Sequence, residues 1–526
     1  MYIESKASTT VTLTQSLSPE NYNNHLGRLK GFPKNPKILL LEPYYPPQAS
    51  WGSVKVEQGY LPPLGTISIY RYLLSKGFSV SFLDTQFGDF TEQTLRSYLK
   101  EGKFDLIGLP LFTPTADHAF NTARMIREVL PDCVILFGGV HATSRSAETL
   151  EECPSCDFII RREGEVTITE LLDVLKAGDA DFARIEGLTW RVSAETIQLN
   201  PDRWLLPQLD DLPVGMFGDL DLARYIPHPT QYIRLPNYPF VTQRGCPYPC
   251  SFCEAHVALG KKLRLYSPER AIEELKILKY EKGARGIYFQ DSTFTINRKY
   301  VVELFSRMIK EGLNDLLWSC TTRTDRVDPE LLALMYEAGC RNILYGIESA
   351  NEQSLQVIKK GITAEHQAMA VGWTHKARIT MTCSYILGLP GETEEMIDNT
   401  IQYAKKLGSQ MGLFYLPVPY PATDLYEACL KTGGIRPHES WSDYLSIDFD
   451  NPIYINPLIG KERMKYWYKR AYLEYYTTPK VWLNNAKALY WNGGAKRYLR
   501  GVNALRALLV HRTGSIRPTN NPNHDS

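Results

Sequence analysis

The feature that most constrains this chain is an alternation. Short apolar segments take turns with helical stretches in two separate series, with an irregular break between them. The first series contains PKILLLEP (Pro36 to Pro43), FSVSFLD, FDLIGLPLF, CVILFGG and the short DFIIR. Between them lie a helix over Ile67 to Ser75, its end marked by Gly77, and another over Ala119 to Leu130. Such alternation predicts a parallel, doubly wound (Rossmann-like) sheet with ligands at the strand C-termini.

The second series begins near Phe240 and offers six strands: PFVTQ, RGIYFQD, LLWSCTT, RNILYGIE, TMTCSYILG and MGLFYLPVP. Helices between them are punctuated by Ser267 and Pro268, by Asp328 and Pro329 with Gly339 beyond, and by Asn351 with Gly361. Six βα units in a row predict a partial (β/α)6 barrel whose working residues follow each strand at one face. The residues at those places are Cys246, then Asp291, then Arg323 and Asp325, then Glu348 and Ser349, then the turn GLPGE from Gly388, then Pro419 to Thr423.

A length of 526 residues suits several domains. The reading is a flexible leader over 1–34, a doubly wound domain over 35–178, a connector over 179–238 and the partial barrel over 239–430. A mainly helical basic and aromatic region over 431–526, with a flexible tail, completes it. Composition, at 44% hydrophobic and 22% charged, is that of a globular protein, and no apolar run approaches the roughly 20 residues of a membrane span. The N-terminus lacks a secretory pattern, and ten irregularly spaced cysteines fit a reducing compartment, so a cytoplasmic location is expected. From Lys461 to Arg517 thirteen Lys or Arg face only Glu462 and Glu474, against a net charge of +1 overall. A helical cap with a solvated basic face accounts for this. An anionic substrate, a membrane surface and nucleic acid are the other uses such a segment has; peripheral membrane contact is kept, and no nucleic-acid partner is expected.

Three of the cysteines fall within GCPYPCSFC: Cys246, Cys250 and Cys253, spaced C-x3-C-x2-C. A closed zinc site needs four ligands, and no second pair lies near in sequence. Three thiolates suit three irons of a 4Fe-4S cluster, leaving the fourth iron open to a small molecule with an amine and a carboxylate. Cys153 and Cys156 form a C-x2-C without a second pair or a thioredoxin context, and read as free thiols.

The cysteine motif followed by six βα units resembles the radical S-adenosylmethionine (SAM) superfamily. FQDSTF, YGIES and YILGLPGET resemble its second-, fourth- and fifth-strand motifs. The resemblance implies that Phe252 passes beside the adenine of SAM, and that Asp291, Arg323 and Glu348 serve its methionine and ribose ends. It also implies that the turn at Gly388 flanks the adenine. The preceding doubly wound domain, with PLFTPT and FGGVHAT after adjacent strands and REGEVTITELL beyond, resembles the cobalamin-binding members. Thr113, Thr115, Gly138, Gly139 and His141 are the cobalamin-binding candidates, the glycines because they let backbone approach a flat ligand or nucleotide tail. No D-x-H-x-x-G follows the first strand, where EPYYPPQ stands instead. Cobalamin is therefore expected with its own base displaced and no protein nitrogen beneath the metal, the competing arrangement being His141 under the corrin.

The resemblance implies a 4Fe-4S cluster, SAM and cobalamin as cofactors. It also implies a small-molecule substrate and an external electron donor of flavodoxin or ferredoxin type. The leading function is a cobalamin-dependent radical SAM methyltransferase acting on an unactivated carbon or phosphorus centre. Its alternatives are an oxidative, ring-forming reaction like that of the anaerobic porphyrin-ring cyclases, and a non-catalytic cobalamin sensor or cluster scaffold.

Overall fold

The computed structural model describes residues 7–46, 59–87, 89–179, 181–437 and 440–492. An eight-stranded sheet forms from β1 (Thr9–Thr12), β2 (Lys37–Glu42), β3 (Ser79–Asp84), β4 (Leu106–Pro110), β5 (Val134–Gly138), β6 (Phe158–Ile160), β7 (Leu188–Arg191) and β8 (Thr196–Leu199). Its order is β1-β8-β7-β6-β5-β4-β2-β3, with β2 to β6 parallel and the β7, β8 and β1 side antiparallel. The parallel part is the doubly wound order in which the chain reverses direction beside β2 and β4, where ligands of such folds sit. Both faces of β2 are covered from Ile38 on, which is why Ile38 to Leu41 form a continuous apolar run rather than alternating.

Two boundaries differ from expectation. Residues 9–12 and 19–30, read as flexible leader, are structured: β1 pairs with β8, and the helix Pro19–Lys30 starts at a Ser18 cap. The reason lies in Asp157, fully buried at the start of the β6 segment. Its carboxylate takes Arg28 and His25 from that helix at 2.7 and 2.8 Å, Arg127 at 2.7 Å and the Ile135 N–H at 2.9 Å. Burial opposes its charge, yet Arg127, His25 and Arg28 hold its pKa below the ordinary value. A buried charge without such partners costs several kcal/mol, roughly 3–5 on removal of one, so the helix has a reason to stay docked. The first sheet also runs past 178, because β7 and β8 fold back onto β6 and shorten the connector.

The second unit opens with β9 (Asn237–Phe240) and a small antiparallel ribbon of β10 (Gln243–Arg244) and β11 (Arg264–Leu265). It continues with β12 (Gly286–Phe289), β13 (Leu317–Thr322), β14 (Cys340–Glu348), β15 (Thr380–Ile386) and β16 (Met411–Tyr415). The order β16-β15-β14-β13-β12-β9 is parallel throughout, the expected six-stranded partial barrel. Ser267 and Asp328 cap the helices they precede, accepting from the N–H of Arg270 and Leu331. Trp318 is fully buried against Phe289, Phe294 and Phe305 and fills the layer between sheet and helices.

The helix Lys461–Tyr476 packs on β16, where the Tyr472, Tyr475 and Tyr476 hydroxyls bond to backbone or Ser409 at that edge. On the next helix, Pro479–Asn492, Lys480 and Lys487 are exposed as a solvated basic face requires, residues 493–526 with the expected flexible tail lie outside the described residues, and apolar side chains share the exposed surface. Trp482 (67% exposed), Leu483 (56%) and Leu489 turn outward at helical spacing. No helix among the described residues is long and apolar enough to cross a membrane.

Candidate functional site

The cysteine loop begins where β9 ends, and its entry is fixed by a carboxylate. Asp291, after β12, accepts the N–H groups of Thr242 and Gln243 at 2.8 Å each and the Thr242 hydroxyl at 3.2 Å. Burial pushes its pKa up to about 7 against the pull of these bonds. Asp291, expected at SAM, is thus committed to backbone, because two orphan amides at the strand end needed an acceptor. Gly245 follows with φ +94°, and a Cβ there would stand 2.2 Å from the Lys262 carbonyl, so only glycine lets the two ends of the loop pass.

Within the loop the Cys246 N–H bonds to Gly260 O (3.1 Å) and the Cys253 N–H to Cys250 O (3.2 Å). Ser251 ties it to the barrel three times, through Ile358 O, the Leu425 N–H and, from its hydroxyl, Val357 O. All three thiols are free and partly exposed. Burial raises the pKa of Cys250, and that of Cys253 to about 11, against the nearby positive charge of Lys360. Among the described residues no three His, Cys, Asp or Glu side chains converge as one metal ion would need. A 4Fe-4S cluster asks for something different: one thiolate at each of three corner irons, which a loop with three separated thiols can supply.

Two cations stand beside the loop. Arg323, after β13, lies with Nη1 3.8 Å from Cys250 Sγ and its guanidinium 3.7 Å above the Tyr248 ring. It is held by Asp325 (2.9 Å) and by the Lys360 carbonyl (2.8 Å). Lys360 Nζ pairs with Glu348 Oε1 at 2.8 Å, both side chains buried, and sits 5.8 Å from the Phe252 ring centre. Glu348 has φ +68°, a conformation rare outside glycine, and the neighbouring Gly346 makes room. A Cβ on Gly346 would lie 2.3 Å from Glu348 Oε1 and 2.8 Å from Lys360 Nζ. Phe252, Arg323 and Glu348 are therefore brought together around the cysteines, with Lys360 added by the fold.

Gly388 joins this group through Glu392, whose Oε1 accepts from Ser349, the neighbour of Glu348, at 3.3 Å. It and Leu389 donate to Glu392 Oε2 at 2.8 and 3.0 Å, and a Cβ on Gly388 would meet Met464 at 2.9 Å. GLPGE is thus a turn closed by its own glutamate, and Gly388 is glycine partly because the C-terminal helix packs against it.

On the first domain, Thr113, Thr115, Gly138, Gly139 and His141 gather at the ends of β4 and β5. His141 Nδ1 is 3.0 Å from Thr113 Oγ1, and the ring meets Trp441 edge-on at 4.7 Å. Burial, with Arg145 nearby, lowers its pKa to about 3, so the imidazole is neutral. Its buried Nε2 has no partner among the described residues. Gly139, at φ +102°, serves its own backbone, since a Cβ would sit 2.8 Å from Leu111 O. Gly138 has nothing closer than 3.7 Å, and Phe112 beside it is 50% exposed. An unpaired imidazole nitrogen, an open glycine and an exposed aromatic at a doubly wound sheet's ligand-binding edge fit a cobalamin. After β2, Pro47 and Gln48 of EPYYPPQ lie outside the described residues, and Glu42 bonds to Thr66 and to Gln86 (3.3 Å). Cys153 and Cys156 are buried free thiols. The short helix Val140–Ser144 of this edge packs on Ala255–Leu259, which directly follows Cys253, so the two candidate sites adjoin.

Sequence reasoning missed Lys360, read only as part of a helix end, and the arginines flanking the cysteine loop. A lysine pair before Gly361 and a basic residue before GC were the available signals.

The radical SAM superfamily model matches residues 240–404, and the B12 binding domain model matches residues 53–172. The uncharacterized methyltransferase PH0819 of Pyrococcus horikoshii is 31% identical over 471 residues, 89% of this chain and 98% of that protein. The anaerobic magnesium-protoporphyrin IX monomethyl ester cyclase of Rubrivivax gelatinosus is 28% identical over 397 residues, 74% of this chain and 69% of that one. The structure of the radical SAM methyltransferase TsrM from Kitasatospora setae, with cobalamin and a 4Fe-4S cluster bound, superposes with a TM-score of 0.67 at 18% identity. The match covers 86% of this chain and 89% of that one. With its two domains matched in order and a relative similar over nearly its whole length, this chain belongs to the cobalamin-binding radical SAM family.

Proposed function

We propose that this protein is a cobalamin-dependent radical SAM methyltransferase acting on an unactivated carbon or phosphorus centre of a small molecule. The observation that carries the reading is the packing of the cysteine loop's helix on the helix after Gly139, which puts the two candidate sites side by side. The methyltransferase name of the 31% identical relative supports the same reading. When bound, the cluster supplies the electron that cleaves SAM and the cobalamin supplies a methyl carrier.

The chain's own part is holding and excluding. Cys246, Cys250 and Cys253 hold the cluster, and Phe252 lines the adenine side of SAM. Arg323 and the Lys360–Glu348 pair present fixed charges to its polar end from a site with little water, where such charges act strongly. Thr113, Thr115, Gly138, Gly139 and His141 form the cobalamin edge. His141, neutral and tied to Thr113 through Nδ1, would line the corrin at the sheet edge. Asp291 and the Gly388 turn act indirectly, by shaping the strand ends.

A flavodoxin- or ferredoxin-type protein donates the electron, and ten unpaired cysteines suit a cytoplasmic setting. The outward Trp482 and Leu483, followed by a basic tail, suit peripheral contact with an anionic membrane. A second reading, oxidative ring formation, draws on the 28% identical cyclase. The test is anaerobic incubation of the reconstituted protein with methyl-deuterated SAM, cobalamin, reductant and host extract, followed by mass analysis. A metabolite gaining a deuterated methyl group supports methyl transfer. A metabolite losing hydrogen with no label supports the second reading and refutes the first.

A further inference from the structure

Glu163 and Glu165 follow β6 in the first domain, yet their carboxylates are bound to the second. Arg244 Nη1 lies 3.1 Å from Glu163 Oε1. Its Nη2 lies 2.8 Å from Glu165 Oε1 and 3.0 Å from Ser68 Oγ, which in turn donates to Glu165 at 2.6 Å. Arg264 Nη1 contacts both oxygens of Glu163, at 2.8 and 2.7 Å, and also donates to Leu206 O, while its Nη2 donates to Leu259 O at 2.9 Å. The Leu206 N–H completes Glu163 at 2.9 Å. Glu163, Glu165 and Arg264 are buried, and Arg244 is 13% exposed.

The two arginines are not scattered along the barrel. Arg244 and Arg264 face each other across the β10–β11 ribbon, which closes the loop carrying Cys246, Cys250 and Cys253. Leu259, held by Arg264, ends the helix that packs on Val140–Ser144. The first domain is thus tied to the neck of the cysteine loop by two guanidinium groups, beside apolar packing in which Ile67 and Leu265 share one core. Buried ion networks of this kind contribute little net stability over well-packed apolar side chains, because desolvation offsets attraction. Their advantage is directional: planar forks fix angle and distance, and a half-satisfied arrangement is costly.

We propose that Glu163, Glu165, Arg244 and Arg264 are positioning residues that set the cysteine loop against the cobalamin-binding edge. They thereby govern how efficiently cleavage of SAM is coupled to methyl transfer. This rests on the methyltransferase reading above. None of the four need touch SAM, cobalamin or substrate. Misplacement of reacting groups by about 1 Å can cost on the order of 100-fold in rate, so loosening the clamp should show in coupling first.

The test compares Glu163→Gln and Glu165→Gln with the unaltered protein. In the cluster-free protein, hydrogen exchange across residues 245–263 should quicken while the strands of both sheets keep their protection. In the reconstituted protein, incubated with methyl-deuterated SAM, cobalamin, reductant and host extract, cluster content and 5′-deoxyadenosine formation should stay near normal. Labelled product per 5′-deoxyadenosine should fall about tenfold or more. Normal exchange together with a normal product ratio in both variants overturns the proposal. If these variants do not fold, Glu165→Asp keeps the charge and shortens the reach: a lowered ratio supports the clamp, and an unchanged one refutes it. If the unaltered protein forms 5′-deoxyadenosine without labelled product, the methyltransferase reading fails, and loop exchange alone decides whether the clamp positions the loop.

Discussion

His141 offers the sharpest physical test of the first domain. Its ring is buried between Thr113 and Trp441 with Arg145 close by, and its pKa falls from 6.5 to about 3. The unfolded chain therefore takes a proton at mildly acid pH that the native state refuses, so stability is present above pH 6.5 and lost as pH falls from there toward 3. With those two values, acidification from pH 7 to pH 5 costs about 2 kcal/mol through this residue alone. His141→Gln keeps a hydrogen-bonding partner for Thr113 and removes the titration. Urea unfolding followed at pH 7 and pH 5 should show the variant less stable at pH 7, by ~1–3 kcal/mol, yet about 2 kcal/mol less sensitive to the acid step than the unaltered protein. Equal acid sensitivity in the two would mean that His141 titrates normally, and that the reasoning from its burial is wrong.

Other outcomes follow from the site. Changing Cys246, Cys250 and Cys253 together to Ala should abolish cluster absorbance and 5′-deoxyadenosine formation, whereas changing Cys153 and Cys156 to Ser should do neither. Lys360→Met strands the buried Glu348 carboxylate and should cost roughly 3–5 kcal/mol in urea unfolding of the cluster-free protein. Adding Glu348→Gln should restore part of that loss. Gly346→Ala places a methyl group against the same pair, and equilibrium dialysis should show SAM affinity reduced about tenfold, ~1.4 kcal/mol, at unchanged cluster content.

Legibility in the sequence followed the range of the interaction. All six barrel strands and the five parallel strands β2 to β6 could be read, the central ones such as β4, β5 and β12 because burial on both faces writes itself locally as an apolar run. The cysteine loop was legible because its three ligands fall within eight residues. Side-chain direction was not. Asp291 follows β12 and Glu348 ends β14, yet one turns to backbone amides and the other to Lys360, a choice made by neighbours from elsewhere in the chain. The Arg264–Glu163 contact spans 101 residues of sequence, and no local pattern announces it. The leader was misread for the same reason: its order comes from Asp157, 129 residues beyond Arg28. Alternating polar composition near a terminus looks flexible until a buried carboxylate far away supplies the reason to fold.

The central claim, that cleavage of SAM serves methyl transfer here, is tested most directly by counting two products in one incubation. With SAM, cobalamin, reductant and substrate-containing extract, the account predicts S-adenosylhomocysteine and 5′-deoxyadenosine in roughly equal amounts, one SAM giving the methyl group and another the oxidising equivalent. Sustained formation of 5′-deoxyadenosine with no S-adenosylhomocysteine would contradict it.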